Sequence, residues 1–157
     1  MKKMIIILLL LTLLLVACNP LNNTSEPNKD VSLSEPPELT ITIDNQSITA
    51  LLGTYSWYIH NKDGTIEGME ADAFAPPELV KHQNETLTVE PKSSIVLNFE
   101  NKPDAYRVDI WEGNNQITQQ VNDKIVIAPE QNGLVVYEVY ARWKEGTAFY
   151  AFAINVN

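Results

Sequence analysis

Glu67, Glu70, Asp72 and Glu78 place four carboxylates within 12 residues, and oxygen-rich groups of this kind are what a hard cation such as calcium takes as ligands. Their spacing departs from an EF-hand loop, where acids and amides alternate toward a glycine and end in a glutamate. Calcium binding here is one expectation. The other is that Asp72 caps the turn toward Pro76 while Glu70 and Glu78 face water. A second constellation is aromatic. Trp111 falls on the strand face of Arg107 and Asp109, opposite Tyr106, Val108 and Ile110, and should stand partly exposed beside a turn. With Tyr58, Tyr140 or Arg142 beside it, such an indole could stack on a sugar ring or anchor a protein. The plainer expectation is a strand-end tryptophan covering the rim of the core. Trp111, Tyr58, Arg107 and Tyr140 are thus the candidate ligand-binding residues.

Catalytic chemistry finds less to work with. His60 and His82 are the only histidines, 22 residues apart, and no Gly-x-Ser-x-Gly elbow, His-Glu-x-x-His helix, Ser-x-x-Lys pair or phosphate loop accompanies them. Asp104 and Asp109 could serve hydrolysis as a pair, but 20 acids in the chain make any one pair undiagnostic. No catalytic residue and no cofactor are expected.

The elements that must position these side chains are strands. Leu39, Ile41 and Ile43 alternate with Thr40 and Thr42; Tyr55, Trp57 and Ile59 alternate with Ser56 and Tyr58; Tyr106, Val108 and Ile110 alternate with Arg107 and Asp109. Period two of this kind marks strands with one buried face. Residues 87–89, 95–99 and 125–127 add short apolar strands, and residues 137–156 read as a hairpin turning at Lys144-Glu145-Gly146. Trp57 and Tyr55, with Trp143, belong to the interior on this pattern. One helix of a turn or two is expected from Pro76-Pro77-Glu78-Leu79-Val80-Lys81, because proline suits a first helical turn and a lysine the last. About eight strands without strand–helix alternation predict an all-β antiparallel sandwich of immunoglobulin-like architecture, with a small β-barrel as the alternative. The Cys-Trp-Cys core of antibody domains is absent, since Cys18 is the only cysteine.

Cys18 ends the tetrad Leu15-Val16-Ala17-Cys18, which follows Lys2, Lys3 and a 13-residue uncharged, mostly aliphatic run. That run is shorter than the roughly 20 residues needed to span a bilayer. Basic start, apolar core and small residues before a cysteine resemble, in order and spacing, the signal peptide and lipobox of bacterial lipoproteins. The resemblance implies a diacylglyceryl thioether on Cys18, cleavage after Ala17, palmitate-type acylation and retention on the extracytoplasmic face of the cell membrane. Two acyl chains at about 0.8 kcal/mol per buried methylene hold far more firmly than one.

With residues 1–17 removed as signal peptide, nine basic residues face 20 acidic ones, a formal charge of −11. That balance opposes phosphate backbones, so nucleic acid is not an expected partner. Residues 18–37 are polar and interrupted by proline, with too few apolar groups to offset ordering entropy, and read as a lipidated flexible linker. Its reach is about 25 Å. Residues 38–157 are then the sandwich domain.

Two motifs stand out in that domain, Gly53-Thr-Tyr-Ser-Trp57 and Ala75-Pro-Pro-Glu-Leu79. The pair resembles one in small uncharacterised lipoproteins of Gram-positive bacteria. It implies an extracytoplasmic β-rich domain and names no catalytic residue. The expectation is therefore a membrane-anchored lipoprotein acting as a non-enzymatic binding or interaction module for a protein, peptide or wall glycan. A calcium-binding accessory lipoprotein is the alternative.

Overall fold

A computed structural model of the chain describes residues 33–157. The expected signal peptide and lipobox with Cys18, and residues 19–32 of the expected linker, lie outside the described residues. Eleven strands form two sheets. The smaller is built from β1 (Leu39–Ile43), β2 (Gln46–Thr49), β6 (Ser94–Phe99) and β9 (Ile125–Ile127) in the order β2-β1-β6-β9. The larger runs β4 (Ile66–Ala71), β3 (Leu51–His60), β11 (Gly146–Val156), β10 (Gly133–Arg142), β7 (Ala105–Glu112), β8 (Asn115–Thr118), and β5 (Leu87–Val89) joins β11 in parallel. All other pairings are antiparallel. Each sheet keeps free edges, so the fold is a sandwich and the barrel alternative falls.

The inward residues of both sheets make one core. Leu39, Ile41, Ile43, Ile95, Leu97 and Val126 come from the smaller sheet, and Trp57, Val108, Tyr137, Val139, Tyr150, Phe152 and Ile154 from the larger. Tyr137 stacks on Phe152 at 4.6 Å, while Trp143 meets Trp57 edge-on at 5.5 Å and Phe99 at 5.7 Å. Such aromatic pairs add about 0.5–1.5 kcal/mol each beyond the area they bury.

The domain starts earlier than residue 38. Pro36 and Pro37 are buried, the Leu33 carbonyl accepts the Trp57 indole N–H at 2.9 Å, and the Pro37 carbonyl accepts the Tyr150 hydroxyl at 2.6 Å. Buried indole and phenol donors require acceptors, and the end of the expected linker supplies them. Leu33–Pro37 is thus part of the folded body.

Three strands escape the periodic reading. β2, β4 and β8 are exposed over most or all of their length, so no buried face imposes alternation on them. The short helix forms as expected: α1 (Pro76–Leu79) continues into a 3₁₀ turn, Val80–His82.

At the outer face of the larger sheet, β3 pairs with β11 only as far as Ala151 and β5 takes over from Ile154. The Gln83 side chain bridges the interval, its Nε2 donating to the Ala153 carbonyl at 2.9 Å and its Oε1 accepting the Ala153 N–H at 2.8 Å. An amide that substitutes for a missing strand also pins the 3₁₀ turn against the sheet. Val80 and Leu79 cover Ala151, Ala153 and Val136 there.

Candidate functional site

On the outer face of β7, β10 and β11, the register sets three rows of side chains. Arg107 lies opposite Tyr140 and Tyr140 opposite Phe149; Asp109 lies opposite Glu138; Trp111 lies opposite Val136 and Gln116. The first row is a stack, with the Arg107 guanidinium 5.7 Å from the Tyr140 ring centre and Tyr140 tilted against Phe149 at 5.0 Å.

The second row holds the two buried acids of the described residues, Asp109 at 1% exposure and Glu138 at 4%. Buried carboxylates need partners, and the first row, the third row and β8 provide them. Arg107 Nε donates to Asp109 Oδ2 at 2.7 Å and the Thr118 hydroxyl to Oδ1 at 2.6 Å. The Trp111 indole N–H donates to Glu138 Oε2 at 2.6 Å and Gln116 Nε2 donates to the same oxygen at 2.8 Å. Asp109, the first cause, and Glu138 together hold the Arg107 guanidinium above its already high ordinary pKa.

Beside this network opens a groove of about 250 Å³. Trp111, Gln116 and Glu138 form one wall; Phe149, Ala151 and Gly53 the floor; Ala73, Phe74, Ala75, Pro76 and Leu79 the other wall. Thr54 ties the second wall to the sheet, its hydroxyl accepting the Ala73 N–H at 3.1 Å. Gly53 packs closely here: a Cβ would lie a tight 3.2 Å from the Phe149 carbonyl oxygen and in ordinary contact, 3.5 Å, with Leu79 Cδ2. Both motifs singled out in the sequence therefore converge on one groove, Gly53 and Thr54 from the first and Ala75, Pro76 and Leu79 from the second. Phe74 projects at its mouth, 66% exposed, with its ring 6.2 Å from that of His82.

Three of the four expected ligand residues, Trp111, Arg107 and Tyr140, belong to this outer-face cluster. Trp111 is half-buried, but over the buried acids of the outer face and not along the core rim. Tyr58 does not join them. It sits on the same face but crosses over Gly68 of β4, at the Glu145 end of the sheet. Three strand spacings and at least seven residues separate it from the Trp111 row, roughly 14 Å across and 23 Å along.

The four carboxylates of the acidic stretch are not drawn together. Glu67 and Glu70 lie in β4, where they accept hydrogen bonds from Asn61 at 3.0 Å and Ser56 at 3.3 Å. Glu78 pairs with Lys81 at 2.7 Å on the helix. No group of three or more His, Cys, Asp or Glu side chains among the described residues is arranged to hold a metal ion. Asp72 is not the helix cap either: Ala75 occupies that position without a side-chain bond, because Pro76 and Pro77 remove donors a cap would satisfy.

His60 ends β3 and His82 ends the 3₁₀ turn, both exposed. Asp104 is exposed while Asp109 is buried against Arg107. Glu138, Gln116 and Phe149 were not among the expected residues. The available signal was an acid at the middle of the apolar run Val135-Val-Tyr-Glu-Val-Tyr140, since a carboxylate there must be either solvated or paired. No family model, curated protein or solved structure matches the chain.

Proposed function

We propose that this chain is a lipid-anchored extracytoplasmic binding module whose ligand site is the groove between Trp111 and α1. The observation that carries the binding reading is the convergence of the two sequence motifs and a paired buried-acid network on that one concavity. Convergent polar groups beside aromatic walls are the usual composition of a small recognition site. The anchoring half of the reading rests on Leu15-Val16-Ala17-Cys18 and the apolar run before it.

A ligand for such a module is a protein, a peptide or a wall glycan presented at the outer surface of the cytoplasmic membrane.

Both halves have direct tests. Intact-mass analysis of the native protein is expected to find a chain beginning at Cys18 and carrying a diacylglyceryl group; a chain beginning at Met1 contradicts the anchor. For the site, a photocrosslinker on Phe74→Cys is expected to label a ligand in native membranes, whereas one on Thr42→Cys, on the outer face of the smaller sheet, labels none. Equal labelling from both positions contradicts the groove.

A further inference from the structure

The charge balance of the outer face is incomplete. Arg107, half-exposed, contributes one positive charge, and the buried Asp109 and Glu138 contribute two negative ones, leaving the trio at a formal −1. Arg107 is hydrogen-bonded to Asp109, and the donors on Glu138, an indole and an amide, are both neutral. Both converge on Oε2, so neither occupies Oε1, which keeps its acceptor capacity. Glu138 is a buried carboxylate whose hydrogen-bond donors are neutral and which shares the single Arg107 charge with Asp109, a deficit that makes a cation bound beside it favourable.

Among the described residues, Glu138 is also the only charged side chain lining the groove. The remaining walls include three aromatic rings, Trp111, Phe149 and Phe74. Aromatic faces attract a cation that has been stripped of part of its water, and a carboxylate among them adds charge-assisted hydrogen bonds. A volume near 250 Å³ lies just under the roughly 300–1,000 Å³ of sites for drug-sized molecules, so it suits a group the size of one side chain.

Building on the binding role proposed above, we infer that the groove takes a lysine-type primary alkylammonium group of a peptide ligand. Its stem packs among Phe74, Phe149 and Leu79, and its ammonium donates to Glu138. A primary ammonium is favoured over a quaternary one because it brings the N–H donors that Glu138 Oε1 can accept.

The test is a tryptophan-fluorescence titration of the full chain at constant ionic strength. Nα-acetyl-lysine amide and butylammonium chloride are the cationic probes; butanol, tetramethylammonium chloride and an N-acetylglucosamine disaccharide are the comparisons. A saturable response is expected from the two primary ammonium probes and not from butanol. Glu138→Gln is expected to weaken binding at least about tenfold, the factor that about 1.4 kcal/mol supplies. Phe74→Ala, at an exposed position where folding is not at stake, is expected to weaken it severalfold.

Equal binding of butanol, an unchanged affinity in either variant, or no saturable response to primary ammonium overturns the inference. Tighter binding of tetramethylammonium overturns it in favour of a quaternary headgroup. Saturation by the disaccharide alone overturns the ammonium assignment while leaving the groove as the binding site. Crosslinking at Phe74→Cys tests the groove itself and does not depend on any of these probes.

Discussion

The two faces of the larger sheet are made from the same strands and bury their polar groups by opposite means. On the inner face the polar atoms are phenols and indoles attached to large apolar bodies, and one acceptor each suffices: Tyr150 reaches the Pro37 carbonyl, Trp57 that of Leu33 and Trp143 that of Asn101. On the outer face the polar atoms are carboxylates, which stay buried only because Arg107, Thr118, Trp111 and Gln116 surround them. The inner face is therefore held mainly by packing and tolerates a missing hydrogen bond. The outer face depends on its hydrogen-bond partners.

Deleting packing from the inner face should give the largest effect. Phe152→Ala removes a fully buried ring stacked on Tyr137 and is expected to destabilise the protein by about 4 kcal/mol, measured by urea unfolding. A loss below about 2 kcal/mol would break the claim that packing holds this face.

Removing a partner from the outer face comes next. Arg107→Met keeps an unbranched side chain beside Tyr140 but leaves Asp109 without its cation. The expected loss is about 2 kcal/mol, less than the 3–5 kcal/mol of a fully buried pair, because the Arg107 side chain is 48% exposed. If Arg107→Met proves neutral, the contrast between the faces fails.

The inner phenols sharpen the contrast. Tyr137 is the described residue whose buried side-chain polar atom lacks a hydrogen-bond partner, whereas Tyr150 has one. Tyr150→Phe should therefore cost about 1 kcal/mol and Tyr137→Phe should be neutral or slightly stabilising. Burial raises the pKa of both phenols above the ordinary 10.0. The unfolded chain then loses these protons first, so stability is unaffected by them below pH 10.0 and falls above it. The slope is about 1.4 kcal/mol per pH unit for each tyrosine. Either phenylalanine variant should flatten that decline in melts across the alkaline range.

The outer face of the smaller sheet provides the smallest effect. Thr42, Ser47 and Asn98 hydrogen-bond one another at 2.9 and 3.2 Å in open solvent. Thr42→Val is expected to change stability by no more than about 0.5 kcal/mol, because water replaces the lost contacts.

Much of the fold was legible because a buried face forces period two on a strand. Leu39 to Ile43, Tyr55 to Ile59, and the Tyr137 to Val156 hairpin all declare themselves in this way, as does the proline-started α1. The edge strands β2, β4 and β8 have water on nearly every side, so Glu67 and Glu70 read as loop acids when they are strand residues. Leu33 to Pro37 looks like linker in composition, and only the tertiary demand of Trp57 and Tyr150 for acceptors makes it domain.

At the site, alternation put Arg107, Asp109 and Trp111 on one face, which holds. It could not say that this face is covered. The cover depends on Gln83 clamping the 3₁₀ turn to Ala153, a contact between residues far apart in the chain. Tyr58 has the correct face and the wrong end of the sheet, a matter of register that strand pattern does not fix.

The three indole N–H groups provide the most direct test of the groove as ligand site, since each reports a different place: Trp57 against the Leu33 carbonyl, Trp143 against that of Asn101, and Trp111 against Glu138. In nitrogen-15 NMR spectra recorded during titration with Nα-acetyl-lysine amide, the Trp111 signal should move progressively to saturation while the other two stay fixed. A Trp111 signal that remains still, or three signals that move together, would contradict the groove as the site of ammonium binding.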